Sequence, residues 1–149
     1  MHEIHPNLLW IGHAMDVREP RALFDAEIAA VIDVAYEESP AQIPRQFTYC
    51  RFPLNDGGGN NPETVLQSLR TATDLLSSNT KLLIACSAGM SRSPTLAAFA
   101  LAHHLSAPPD EVIAGIADVK SLELKPELWA DMLTAFNKMN PNSTAANDE

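Results

Sequence analysis

The strongest constraint on the fold lies in residues 81–94, where an apolar run, a loop of small residues and an alanine-rich segment follow one another. Residues 82–85 are apolar without interruption, which is typical of a buried strand. The segment after Pro94 is apolar on nearly all sides, which is typical of a buried helix. A strand, a tight loop and a helix N-terminus in this order predict an anion site, because the loop amides converge and the helix dipole adds positive charge.

Two reactive side chains stand in this loop. Cys86 ends the predicted strand, and Arg92 follows six positions later. A guanidinium matches two oxygens of a phosphate, and a thiolate can attack phosphorus. The sequence therefore predicts a phosphate site that can react covalently. The structural alternative is a buried cysteine that closes a strand, with Arg92 merely solvated.

The loop is spelled Cys-x-Ala-Gly-x-Ser-Arg-Ser from Cys86 to Ser93. It resembles the signature loop of the cysteine-based protein tyrosine phosphatases, and among them most closely the dual-specificity phosphatases. A looser resemblance extends from about Ile4 to Phe136. It implies a cysteine-dependent phosphomonoester hydrolase that acts on phosphotyrosine, and also on phosphoserine or phosphothreonine, in proteins. The resemblance further implies a phosphocysteine intermediate and no cofactor or metal.

The same resemblance assigns roles within the loop. Cys86 would be the nucleophile, and Arg92 would clamp two phosphate oxygens and stabilise the transferring group. Ser93 would hydrogen-bond the thiolate, and it is also a good N-cap before Pro94. The backbone amides of six residues would bind the non-bridging oxygens: Ser87, Ala88, Gly89, Met90, Ser91 and Arg92.

In this family an aspartate about thirty positions before the cysteine protonates the leaving group, and Asp56 lies thirty residues before Cys86. It follows a predicted strand and precedes three glycines, at 57–59, which predict a mobile loop. The alternative is that Asn-Asp-Gly is only a turn. Asp33 is less well placed, because a carboxylate near the end of its strand is expected to bond loop amides. Asp74 lies in the middle of a predicted helix.

Ala85 departs from the family pattern, which usually has a histidine immediately before the cysteine. The departure predicts a slower enzyme than a histidine-bearing relative. It also sustains a second hypothesis, a binding module that holds phosphoproteins with negligible turnover. A third hypothesis is a rhodanese-type sulfurtransferase, which also places a cysteine before an anion-binding loop. Asp56 and the Ser-Arg-Ser ending fit this third hypothesis poorly.

Strands and helices alternate along the rest of the chain. This pattern predicts an α/β three-layer sandwich with a central, mainly parallel sheet, similar to that of the dual-specificity phosphatases. We expect residues 1–140 to form one catalytic domain and residues 141–149 to be a disordered polar tail. The predicted strands are 7–12, 29–35, 47–54 and 82–85, and the predicted helices are 19–27, 63–78, 94–105, 109–119 and 125–138.

Charge narrows the choice of partners. The formal net charge of −9 argues against a nucleic-acid surface, because phosphate backbones are bound by lysine and arginine. The apolar runs are too short to span a bilayer. We expect positive potential only around Arg92, and hence a phosphorylated protein or a small phosphomonoester as the partner. The loop lacks the lysines of phosphoinositide-cleaving relatives, which disfavours inositol lipids.

The two cysteines, Cys50 and Cys86, do not make a disulfide framework. A working thiolate at Cys86 predicts a reducing cytoplasm as the compartment. Cys50 is expected to be a buried strand residue. The alternative is that it protects Cys86 through a reversible disulfide.

Overall fold

The computed structural model describes residues 1–141, which form one five-stranded sheet and six helices. The strands are β1 His2–His5, β2 Leu9–His13, β3 Ala30–Ala35, β4 Thr48–Leu54 and β5 Leu82–Cys86. The helices are α1 Ala14–Val17, α2 Pro20–Asp25, α3 Pro62–Ser77, α4 Arg92–Leu105, α5 Pro109–Val119 and α6 Pro126–Met139. The strand order is β1-β2-β5-β3-β4; β1 runs antiparallel to β2 and the other pairs are parallel.

The central strand β5 carries the cysteine to the carboxyl edge of the sheet. Every residue of β5 and of its neighbour β3 is buried, as expected for strands covered on both faces. In the register, His13 of β2 lies opposite Cys86, and Asp33 of β3 lies opposite Ala85. The residues that follow β2, β3 and β5 therefore emerge together around Cys86.

Each face of the sheet has its own core. The larger core packs α3 to α6 against one face, with Leu69, Phe99 and Met132 fully buried. The smaller core includes Val17 and Leu23 from the α1 and α2 side. Helices on both faces of a mainly parallel sheet confirm the predicted three-layer sandwich.

The predicted elements agree with the observed ones within a few residues, but two short elements were missed. The first, β1, is a four-residue edge strand whose polar composition has no strand signal. The second, α1, is a single turn closed by a capping box in which the Met15 amide donates to His13 Nδ1 and the His13 amide donates to Asp16 Oδ2. One turn is too short to show a helical period.

The predicted disordered tail, residues 141–149, lies outside the described residues except for Pro141. None of the helices within residues 1–141 combines the length and the apolar character needed to cross a membrane.

Candidate active site

The signature loop joins β5 to α4 and is pressed against the end of β2. Gly89 has φ of +74°, and a Cβ there would lie 3.0 Å from the Gly12 carbonyl oxygen. Both the dihedral angle and the close approach require glycine. The Ala14 amide donates to the Ser87 carbonyl at 3.2 Å, and the Glu123 amide donates to the Met90 carbonyl at 2.9 Å. Neighbouring segments thus hold the loop on two sides.

Cys86 Sγ lies inside the curve of this loop, and the residue is 3% exposed. The Gly89 amide donates to Sγ at 3.2 Å, and the Ser93 hydroxyl lies 3.3 Å from it. The same hydroxyl also lies 3.3 Å from the Gly12 carbonyl oxygen, to which it donates. Because a hydroxyl can rotate, Ser93 can donate either to the Gly12 carbonyl or to a thiolate at Cys86.

Arg92 is the first residue of α4, and its side chain is only 4% exposed. Its Nη1 donates to the Leu54 carbonyl at 2.8 Å and to Glu37 Oε2 at 2.7 Å. Its Nη2 donates to Glu37 Oε1. The Nε atom is buried without a hydrogen-bond partner in the described structure. A carboxylate therefore occupies the bidentate face predicted for phosphate, while one buried donor of the fork is left for another acceptor.

The pairing of Glu37 with Arg92 shifts the ionisation of both groups. Hydrogen bonds from Arg92 lower the Glu37 pKa to about 2, partial burial opposes this shift, and the Ser87 hydroxyl contributes in the same direction as Arg92. Burial alone would lower the pKa of Arg92, but the hydrogen bonds and charge of Glu37 raise it overall. At neutral pH the two groups form an ion pair.

Sequence reasoning missed Glu37. The residue follows β3 by two positions, between the predicted strands 29–35 and 47–54. The available signal was its place just after an apolar strand, because the carboxyl ends of parallel strands meet at one edge. Using that signal required knowing that β3 and β5 are neighbours.

A cavity of about 200 Å³ opens over the loop. Its lining residues are Glu37, Asp56, Cys86, Ser87, Ala88, Met90, Ser91, Arg92 and Glu123. The structure thus brings together Cys86, Arg92, Asp56 and most of the predicted phosphate-binding positions. Gly89 and Ser93 do not line the cavity. Ser93 is fully buried as the second residue of α4, whose cap is Ser91, so the expectation that Ser93 caps this helix is wrong. The lining includes three carboxylates, so the positive potential expected around Arg92 is largely neutralised.

Asp56 is exposed on one wall of this cavity, in the loop between β4 and α3. The Asn60 side chain closes that loop: it accepts from the Asn55 amide at 2.7 Å and donates to the carbonyls of Asn55 and Gly57 at 3.3 and 3.0 Å. A Cβ at Gly58 would lie 3.2 Å from Glu127 Cβ in α6. The triple-glycine loop is thus closed by specific contacts.

Asp33 and Asp74 do not line the cavity. Asp33 accepts from the Ala35 amide and from the Tyr49 hydroxyl, each at 3.0 Å. Both contacts hold the chain where it leaves β3, so the Asp33 carboxylate has a structural role.

Cys50 lies on β4, two strands away from Cys86. The register aligns Cys50 with Ile32 and Ile32 with Ile84, which is two residues before Cys86. Strand spacings of about 4.8 Å and a rise of about 3.3 Å per residue put the two Cα atoms more than about 10 Å apart. A disulfide needs roughly 4.4–6.8 Å, so the hypothesis of a protective disulfide is wrong for this fold. Cys50 lies on a strand as expected, but it is only partly buried; this partial burial raises the pKa of its thiol.

Ala85 points into the smaller core, on the opposite face of β5 from Cys86. It has no side-chain group that could hydrogen-bond the loop. The slower turnover expected from this residue stays a prediction.

Comparison with known proteins finds similarity in structure but not in sequence. No family model matches the sequence, and no curated protein matches it. Human DUSP28 superposes with a TM-score of 0.81 at 15% identity, covering 95% of this chain and 99% of the other. The human tyrosine phosphatase-like serine/threonine/tyrosine-interacting protein gives 0.80 at 15% identity, with coverages of 95% and 97%. PTPMT1, solved in complex with PI(5)P, gives 0.73 at 15% identity, with coverages of 95% and 97%.

These matches cover nearly the whole chain at low identity, so they concern the fold. They agree with the resemblance seen in the signature loop and with the sheet order around it. The chain has the fold of the dual-specificity phosphatases.

Proposed function

We propose that this protein is a cysteine-dependent phosphatase that hydrolyses phosphomonoesters, with phosphotyrosine proteins as the leading substrate class and phosphoserine or phosphothreonine proteins as further candidates. The observation that carries the proposal is a single cavity that holds Cys86, Arg92 and Asp56 at the N-terminus of α4. This arrangement supplies a nucleophile, an anion clamp and an acid within reach of one phosphate. We place the protein in the cytoplasm, because that reducing compartment would keep the Cys86 thiol in its reduced form.

In the first chemical step, the Cys86 thiolate attacks phosphorus and the bond from phosphorus to the ester oxygen breaks. Asp56 gives its proton to the departing oxygen, and a phosphocysteine remains. In the second step, water attacks the phosphocysteine and gives a proton to the Asp56 carboxylate. Inorganic phosphate leaves and the thiolate is restored. Proton transfer by a placed acid is typically worth about 10²–10⁴-fold in rate.

The remaining groups of the loop stabilise charge. The free Nε of Arg92 and the loop amides offer donors to the phosphate oxygens. The Ser93 hydroxyl can donate to the sulfur both before attack and when the phosphocysteine breaks. The phosphate must also displace Glu37 from Arg92 if it is to gain the bidentate contact.

The second candidate is a phosphoprotein-binding module with little turnover. The specific observation in its favour is that Glu37 already holds the Arg92 fork, in a chain with Ala85 where the family usually has histidine. Cys86 and Asp56 on one cavity support the enzyme instead. A lipid headgroup such as that bound by PTPMT1 is a weaker candidate, because the variable positions of this loop carry no lysine.

The test is hydrolysis of p-nitrophenyl phosphate across pH, with EDTA present, by wild type, Cys86→Ser and Asp56→Asn. We expect Cys86→Ser to lose activity completely. We expect Asp56→Asn to fall by about 10²-fold and to lose the decline in activity that wild type shows toward alkaline pH. Wild type without turnover, but with retained phosphopeptide binding, would establish the binding module instead.

A further inference from the structure

The Arg92 fork is occupied by a side chain of the protein itself. Both carboxylate oxygens of Glu37 accept from the two terminal nitrogens of Arg92. Glu37 Oε1 also accepts from the Ser87 hydroxyl, and Glu38 Oε1 lies 3.2 Å from that hydroxyl. A substrate phosphate that takes the fork must therefore move the Glu37 carboxylate aside.

The backbone that carries Glu37 is anchored, so the displaced carboxylate stays at the rim of the cavity. Arg51 Nη2 donates to the carbonyls of Ala35 and Glu38, one on each side of Glu37. Arg18 donates to the Glu38 carboxylate at 3.4 Å and to the Ser39 carbonyl at 3.5 Å. The Glu37 side chain is 51% exposed, so it can rotate toward solvent while its backbone remains in place.

Once displaced, Glu37 lies beside a phosphate dianion. Asp56 and Glu123 line the same cavity, and Arg92 is the only basic residue among the lining side chains. Two arginines from other segments contact the loop that carries Glu37, but Arg18 already bonds the Glu38 carboxylate and Arg51 already bonds the loop carbonyls. No residue that lines the cavity can therefore replace Arg92 as the counter-charge of Glu37. A cationic group on the substrate could take that place.

We propose that Glu37 is a specificity-determining residue that favours phosphomonoesters with a cationic group beside the phosphate and disfavours those flanked by carboxylates. The inference rests on the proposed phosphate chemistry at this site. In a protein substrate, the cationic group is a lysine or arginine adjacent to the phosphorylated residue. Such a side chain pairs with Glu37 when the phosphate takes Arg92, so the ion pair is exchanged rather than lost.

The test uses three phosphotyrosine peptides that differ only in the residues on both sides of the phosphotyrosine: lysine, serine or glutamate. Values of kcat/KM are measured at physiological ionic strength for wild type, Glu37→Gln and Glu111→Gln. Glu111→Gln is the matched control because it removes the same charge at a site far from the cavity. Glu111 lies near Leu105, which ends α4, whereas Arg92 begins that helix. Peptide affinity is measured in parallel by fluorescence anisotropy on Cys86→Ser with and without Glu37→Gln.

We expect wild type and Glu111→Gln to prefer the lysine peptide over the glutamate peptide by about tenfold, since each exposed charge pair contributes a factor of a few. In Glu37→Gln the preference should shrink to about twofold. The anisotropy measurements should show the same loss of preference. Glutamine keeps the size of the side chain and one acceptor oxygen for Arg92 at a half-exposed position, so we expect Glu37→Gln to fold with only a modest loss of stability.

Three results would overturn the inference: equal handling of the three peptides by wild type, a lysine preference in Glu37→Gln as large as that of wild type, or no measurable binding of any peptide. p-Nitrophenyl phosphate has no charged group beside its phosphate that could pair with Glu37. Its turnover therefore tests the proposed phosphatase activity separately from the selectivity. If turnover is absent, the anisotropy measurements on Cys86→Ser still decide whether Glu37 selects by charge.

Discussion

Glu37 holds Arg92 in the same bidentate manner as a substrate phosphate would. This has two consequences at the scale of single residues. The buried guanidinium is never left without a counter-charge, which would be costly at 4% exposure. The phosphate must also compete with an internal carboxylate, so part of its binding energy is spent on displacing Glu37.

The Glu37–Arg92 pair predicts a pH dependence of stability. The Glu37 pKa is about 2 in the folded protein, against an ordinary value of 4.5, so the folded state binds fewer protons than the unfolded chain between these values. The contribution is therefore complete above about pH 4.5 and is lost as pH falls toward 2. Because the side chain is half exposed, we expect only about 1 kcal/mol.

The measurement is the free energy of unfolding in urea from pH 6 to pH 2.5, for wild type, Glu37→Gln and Glu111→Gln. The wild-type curve should fall more steeply than that of Glu37→Gln below pH 4.5, and Glu111→Gln should follow wild type. Parallel curves for wild type and Glu37→Gln would show that the pair does not stabilise the fold.

At the scale of elements, the loop between β4 and α3 positions Asp56 through the ring of hydrogen bonds around Asn60. We expect Asn60→Ala to loosen Asp56 and to reduce kcat by about tenfold for phenyl phosphate, whose leaving group needs a proton. The fall should be smaller for p-nitrophenyl phosphate, because its leaving group is already stable. The ratio of the two rates is the readout, since loss of stability alone would lower both rates equally.

Asn61 offers a matched control one residue away. Its side chain caps α3 by accepting from the Glu63 and Thr64 amides. Asn61→Ala should cost about 1 kcal/mol of stability and leave the ratio of rates unchanged. An unchanged ratio in Asn60→Ala as well would mean that the ring does not position Asp56.

The strands and helices differ in how well the sequence predicted them. Three elements left a clear pattern: the apolar run of β5, the nearly continuous apolar run of β3, which only Asp33 interrupts, and the amphipathic face of α3. The two strands are buried on both faces of the sheet, and α3 is buried on one face. The edge strand β1 and the single turn α1 have too little buried surface to leave a pattern. The Cys-x5-Arg spacing predicted the loop, since its geometry is local. Glu37 reaches Arg92 from 55 positions away, and only the strand order brings them together.

At the scale of the whole molecule, the net charge of −9 repels anionic substrates before they reach the cavity. Salt shortens the Debye length from about 30 Å at 0.01 M to about 8 Å at 0.15 M. We therefore expect kcat/KM for p-nitrophenyl phosphate to rise severalfold as salt increases over this range. Salt screens the negative field of the protein, which then repels the anionic substrate less strongly. The value of kcat should stay constant, since the chemical step occurs at a buried thiol beside a buried guanidinium.

A phosphotyrosine peptide flanked by several lysines should respond to salt in the opposite direction. The acidic surface attracts such a peptide and Glu37 pairs with it, and both interactions weaken as ionic strength rises. Opposite slopes for the two substrates with one enzyme preparation exclude a general effect of salt on folding. Slopes of the same sign would show that the charge of the molecule does not control substrate encounter, and that any selectivity at Glu37 acts only after the substrate has docked.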